Sequence, residues 1–201
     1  MDLTHIGAVL FDMDGTLVDS DAAVERAWHT WSAEYGADPE AVLAVAHGAP
    51  AERTVRLVRP DLDAAGVASA ADRQLELQYD DLSDVVPTPG ALDLLSHLTL
   101  PWAVVTSADV RLAKARLGAA GIAAPVLVTT DDIRAGKPDP EGYRRGAGLL
   151  GVPPERCLVV EDAEVGVTAG RAAGAVVAAL KGIDGDLRIA NLGELARLLA
   201  R

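Results

Sequence analysis

Residues 8–16 read AVLFDMDGT, and this stretch decides the fold. Ala8-Val9-Leu10-Phe11 is short and wholly apolar, the pattern of a strand buried on both faces of a parallel sheet. Asp12 and Asp14 follow at its carboxyl end. Residues i and i+2 of an extended chain point to one side, so this spacing lets both carboxylates address one site. Gly15 then permits a sharp turn or a close approach of backbone.

Working outward, four more apolar runs occur: AVV at 103–105, VLV at 126–128, LVV at 158–160 and VVAA at 176–179. The segments between them read as helices. Residues 91–98 follow a Pro-Gly turn, 110–119 close near Gly121, and Pro140 opens a segment that stops at Gly151. Strands alternating with helices predict right-handed βαβ units, hence an α/β fold with a Rossmann-like, doubly wound parallel sheet.

Residues 19–85 break the alternation. They contain no strand-like run, and Val24, Trp28, Trp31 and Tyr35 fall on one helical face, which reads as a packing stripe. Further helices are predicted over 39–46, 50–58 and 69–83. The expected organisation is therefore an α/β core of residues 1–18 and 86–201, interrupted by a small helical domain of residues 19–85 that returns through Val85-Val86-Pro87.

The residues after the strands carry the chemistry. Asp12 and Asp14 follow the first, Thr106 and Ser107 the second, Thr129, Thr130 and Asp131 the third, and Glu161 with Asp162 the fourth. Ligands of open parallel sheets bind outside the carboxyl ends of strands. Paired carboxylates suit a hard cation, and Mg²⁺ commonly takes one or two of them together with a substrate phosphate. Thr106 and Ser107 suit either a helix cap or a phosphate, through hydroxyl and backbone N–H. Lys137 is one of only three lysines and lies in the stiff segment Gly136-Lys137-Pro138-Asp139-Pro140. A carboxylate facing a phosphate dianion meets a repulsion of roughly 4 kcal/mol per charge pair at about 4 Å and an effective dielectric near 20. A divalent cation and a lysine reverse that sign.

Composition narrows the partners. A net charge of −12 argues against nucleic acid, which needs a basic stripe. An anionic substrate must then be attracted locally, which salt permits by screening charges beyond roughly 8 Å. No apolar run reaches the roughly 18 to 20 residues of a membrane span. The opening residues lack the basic, apolar and small-residue succession of an export signal, so a cytoplasmic location is expected. The lone Cys157 cannot form an internal disulfide and reads as a buried, inert thiol.

Four stretches, Phe11-Asp12-Met13-Asp14-Gly15-Thr16-Leu17-Val18-Asp19-Ser20, Val104-Val105-Thr106-Ser107, Gly136-Lys137-Pro138-Asp139-Pro140 and Val160-Glu161-Asp162-Ala163, in this order resemble the haloacid dehalogenase superfamily. The resemblance is to its phosphatase branch with a small helical cap after the first strand. It implies a nucleophile in Asp12, which becomes an aspartyl phosphate. Asp14 would protonate the leaving alcohol and later activate water, with its backbone carbonyl on the metal. Thr106 and Ser107 would hold the phosphoryl group and Lys137 would neutralise charge. Asp12, Asp14 and Asp162 would hold Mg²⁺, with Glu161 close by or ligating. Asp131 and Asp139 are left as loop and turn residues.

The same resemblance separates activities. Dehalogenases of the superfamily lack an acid where Asp14 stands, so Asp14 favours phosphoryl transfer. Phosphonate-cleaving members and sugar-phosphate mutases use a cap lysine, and residues 19–85 contain none. Residues 24–28, 42–48 and 101–107 are similar to bacterial phosphatases of sugar and hexitol phosphates and their glycerol-phosphate relatives. His47 and Arg56 are the cap residues expected to meet the substrate. The expectation is a Mg²⁺-dependent phosphomonoesterase for a small phosphorylated sugar or polyol, requiring no oligomer. A phosphomutase and a non-catalytic phosphate-binding regulatory domain are the alternatives.

Overall fold

The first apolar run forms β1 (Ala8–Phe11), buried along its whole length. The backbone then turns tightly: the amides of Leu17 and Val18 both donate to the Met13 carbonyl, and β2 (Val18–Asp19) leads away. In this computed structural model, which describes residues 3–46 and 49–200, the chain divides into two units. One comprises Met1–Asp19 with Val86–Arg201, the other Ser20–Val85.

The second unit is helical: α1 (Asp21–Tyr35), α2 (Pro39–Ala46), α3 (Ala51–Val58) and α4 (Ala64–Leu77). Its centre is the aromatic stripe of α1, with Trp28 edge-on to Trp31 and Trp31 stacked on Tyr35. Val42, Val55, Val67 and Ala70 close around it, and the indole of Trp31 donates to the Ala70 carbonyl at 2.8 Å. The last helix begins five residues earlier than the predicted 69–83. The Asp63 carboxylate accepts from the Gly66 amide and caps a first turn that helical periodicity alone did not reveal.

The first unit resumes with β3 (Val86–Pro87), antiparallel to β2 with Val86 opposite Asp19, so the helical excursion leaves and returns at adjacent points. There follow α5 (Ala91–His97), β4 (Trp102–Val105), α6 (Val110–Ala119), β5 (Leu127–Val128) and α7 (Glu141–Leu149). The chain ends with β6 (Cys157–Glu161), α8 (Glu164–Ala173), β7 (Val176–Ala179), β8 (Leu187–Arg188) and α9 (Leu192–Leu199). The sheet is parallel, in the order β5-β4-β1-β6-β7-β8.

Five of these strands are the five apolar runs. The sixth, β8, is two residues long and has no apolar run to announce it. Alternation along the strands serves two faces. Leu10, Val105, Val159 and Val177 pack with Tyr143 and Ala147 of α7 and Val167 and Ala173 of α8. Val9, Phe11, Val104, Leu158, Val160 and Ala178 occupy the intervening positions and are buried as well. A sheet covered on both sides needs continuous apolar strands, which is why these runs do not alternate with polar residues. Cys157 lies in this core. Among the described residues no helix is long and apolar enough to cross a membrane.

Candidate active site

The chain places β4 and β5 on one side of β1 and β6, β7 and β8 on the other. Strand order therefore switches at β1, the position where parallel sheets open a ligand crevice at their carboxyl edge.

Asp12 continues the register of β1, its amide donating to the Val160 carbonyl at 2.9 Å. Its buried carboxylate meets the ammonium of Lys137. The same ammonium lies 2.6 Å from Glu161 Oε1 and 5.3 Å above the Tyr143 ring centroid. Glu161, at the end of β6, is fully enclosed. Its Oε1 accepts from the Tyr143 hydroxyl at 2.5 Å, and its Oε2 accepts from the amides of Asp162 and Ala163 at 3.1 and 3.3 Å. Asp162 in turn pairs with Lys181 at 2.9 Å.

Two glycines make room for this packing. A Cβ on Gly166 would stand 1.7 Å from Glu161 Oε1, and one on Gly15 would stand 2.0 Å from Asp162 Oδ2. Neither carboxylate could lie where it does beside any larger residue.

Electrostatics follow from this crowding. Burial raises the pKa of Asp12 well above its ordinary range; Glu161 and Asp162 add to the effect, and Lys137 opposes it. Burial also raises that of Asp162, against the pull of Lys181. For Lys137 burial works against the charge, but Asp12 and Glu161 outweigh it and strengthen its hold on the proton. Burial and the Glu161 charge together push the Tyr143 phenol upward.

Asp12, Glu161 and Asp162 each offer a carboxylate oxygen, and these oxygens all lie within 4.8 Å of one another. Three carboxylates face two ammonium groups here, so negative charge is in excess. Hard oxygen donors concentrated in this way fit a divalent cation such as Mg²⁺.

Thr106 follows β4 directly. Its amide donates to the Val128 carbonyl at 3.0 Å and its buried hydroxyl accepts from the Ala108 amide at 3.1 Å. Thr106, Ser107, Lys137 and Tyr143 line one small depression.

The remaining residues named from the sequence have other partners. β1 ends at Phe11, so strand alternation does not carry through to Asp14, whose carboxylate meets Arg116 of α6 at 2.8 Å. Arg56 is exposed on α3 and pairs along its own helix with Glu52 at 3.5 Å. His47 lies outside the described residues. Asp131 accepts from the Val110 amide at the start of α6, and Asp139 accepts from the Glu141 amide at the start of α7.

Sequence reasoning missed Tyr143, Arg116 and Lys181. Arg116 left a detectable signal, because it shares a helical face with Leu112, Ala113 and Leu117, all buried. An arginine on an apolar stripe needs a partner.

A family model described as haloacid dehalogenase-like hydrolase matches residues 6–174. The chain belongs to the haloacid dehalogenase-like hydrolase family. Hexitol phosphatase A of Escherichia coli (strain K12) is 45% identical over 175 residues, covering 85% of this chain and 81% of that protein. Fructose-1-phosphate phosphatase of the same strain is 32% identical over 176 residues, covering 83% and 92%. The crystal structure of CbbY from Rhodobacter sphaeroides superposes with a TM-score of 0.82 at 23% identity, over 98% of this chain and 100% of that one, a likeness of fold. With this family and these relatives, the chain is a phosphatase.

Proposed function

We propose that the chain hydrolyses small sugar or polyol phosphates through an aspartyl phosphate on Asp12. The observation that carries this reading is the buried group of Asp12, Lys137, Glu161 and Asp162 at the switch point of the sheet, with Thr106 and Ser107 beside it. The names of the relatives support the substrate class: a hexitol phosphatase at 45% identity and a fructose-1-phosphate phosphatase at 32%.

In this reading an Asp12 carboxylate oxygen attacks phosphorus and the bond to the sugar oxygen breaks. Asp14 gives that oxygen its proton. Water then attacks the aspartyl phosphate, Asp14 takes the proton, and inorganic phosphate departs as the bond to Asp12 breaks. Thr106 and Ser107 hold the phosphoryl oxygens, and Lys137 balances their charge. Asp12, Asp162 and the Asp14 carbonyl would hold Mg²⁺, with Glu161 alongside, and the ion would offset the charge of phosphate facing carboxylate. Lys137 fixes Asp12 in place in the meantime, so positioning and charge stabilisation supply most of the catalysis.

The helical unit, residues 19–85, acts in this proposal as a cap that selects the substrate, with His47 and Arg56 as its contacts. No second copy of the chain is required.

The test is phosphate release from hexose, pentose, hexitol and glycerol phosphates, with and without Mg²⁺, using Asp12→Asn as control. Release from one of these esters, dependent on Mg²⁺ and lost in Asp12→Asn with the fold retained, is expected. Full activity in Asp12→Asn would overturn the covalent route, and isomerised sugar phosphates without free phosphate would point to mutase chemistry.

A further inference from the structure

The carboxylate of Asp14 is held by a residue far from it in sequence. Arg116 lies in the last turn of α6, with a side chain only 3% exposed, and its Nη1 is 2.8 Å from Asp14 Oδ1. A guanidinium is permanently charged, and burying it is costly without an ionic partner. The helix carrying it is firmly placed. Its first turn is capped by Asp109, which accepts from the Leu112 amide at 2.8 Å, and by Asp131, which accepts from the Val110 amide at 2.9 Å. Its partner Asp14 sits in the turn after β1, next to Gly15 at φ 76°, with its side chain 31% exposed. A buried arginine on a capped helix therefore meets a partly exposed carboxylate on a turn.

We propose that Arg116 is a positioning residue for Asp14, orienting the group that exchanges protons with the leaving alcohol and with water. This rests on the acid–base role given to Asp14 above. An acid–base group is commonly fixed by a third residue. Displacement of a reacting group by about 1 Å can cost on the order of a hundredfold in rate. The helix that follows the phosphate-binding segment Thr106-Ser107 thus also sets the acid, and one element ties the two together.

The test exploits the leaving group. An alkoxide needs a proton as it departs, whereas the p-nitrophenolate of p-nitrophenyl phosphate does not at neutral pH. The parameter kcat/KM reports the step in which the leaving group departs. With Arg116→Met, kcat/KM for the preferred sugar or polyol phosphate should fall about 10- to 100-fold, within the range that general acid catalysis contributes. For p-nitrophenyl phosphate it should change less than about threefold by the same reasoning. Asp14→Asn should show the same selectivity, and adding Arg116→Met to Asp14→Asn should cost little more. Arg116→Lys, which keeps the charge, should show a smaller selective loss and serves if the methionine variant does not fold. Equal losses on both esters in the Arg116 variants, or additive losses in the double variant, would overturn the proposal while Asp14→Asn remains selective. Equal losses in Asp14→Asn itself would instead remove the acid–base role of Asp14, and this proposal with it.

Discussion

Gly166 offers a prediction whose sign the structure reverses. Alanine in place of a helical glycine ordinarily stabilises by about 1 kcal/mol. Gly166 is the third residue of α8, so helix propensity alone favours the substitution. The added Cβ would, however, stand 1.7 Å from Oε1 and 1.9 Å from Cδ of Glu161. Glu161 is 0% exposed and tied to Tyr143 at 2.5 Å, to Lys137 at 2.6 Å and to two amides at 3.1 and 3.3 Å. It cannot swing aside without leaving those partners. Hydrogen bonds to charged groups contribute roughly 1.5–3 kcal/mol each, so losing two costs about 3–6 kcal/mol before the gain in propensity is subtracted. A net loss of about 3 kcal/mol lowers the Tm of a chain this size by roughly 6–12 °C. Thermal unfolding of metal-free Gly166→Ala measures this directly, and Mg²⁺ titration by calorimetry should show affinity reduced at least about tenfold as the Glu161 charge leaves. Gly118→Ala is the control: it lies in α6 with nothing within 4 Å of the added carbon, and it should gain stability. A Gly166→Ala protein as stable as the parent would refute the steric reasoning. A lowered Tm with unchanged Mg²⁺ affinity would refute the part given to Glu161 in the acidic cluster.

Other outcomes follow from the same packing. Tyr143→Phe removes the hydroxyl that Glu161 accepts but keeps the ring beneath Lys137, and urea unfolding should show a loss of roughly 1–3 kcal/mol. Lys137→Met leaves Asp12 and Glu161 buried without their shared ammonium, at a cost of roughly 3–5 kcal/mol near neutral pH. Because burial raises Asp12 above its ordinary 3.8, its folded form favours the proton, so the stability of the metal-free variant should recover as pH falls toward that value. A deficit that is constant between pH 7 and pH 5 would contradict the assignment. Burial pushes the Cys157 thiol up to about 11, against an ordinary 9.0. At pH 8 the thiolate fraction should thus be about 100-fold below that of an ordinary cysteine, so iodoacetamide should label the native protein slowly and the unfolded chain quickly.

Much of the site was legible because strand ends are local features. Asp12, Thr106 and Asp162 stand within two residues of apolar runs, and a parallel sheet carries all such ends to one edge. Lys137 was noticed through its rarity and its proline-stiffened neighbours. Glu161 was named, but its enclosure by Tyr143 and by the missing side chain of Gly166 was not readable. Those contacts span 18 and five positions across helix and strand, and no pattern of period two or 3.6 encodes them. β8 and the early start of α4 escaped for the opposite reason, since each depends on a pairing or a cap rather than on hydrophobic periodicity.

The order of apolar runs and helical segments by itself determined the α/β class, the position of the helical excursion and the edge where carboxylates and hydroxyls gather. Burial on two faces demands continuous apolar strands, and that demand is written residue by residue. Only the tertiary structure decided what each charged group faces. Asp12 and Asp14 are two residues apart, yet one joins Lys137 and the other Arg116. The strand ends at Phe11, and beyond it the direction of a side chain depends on the turn and on the helices packed against it, so sequence spacing no longer determines it.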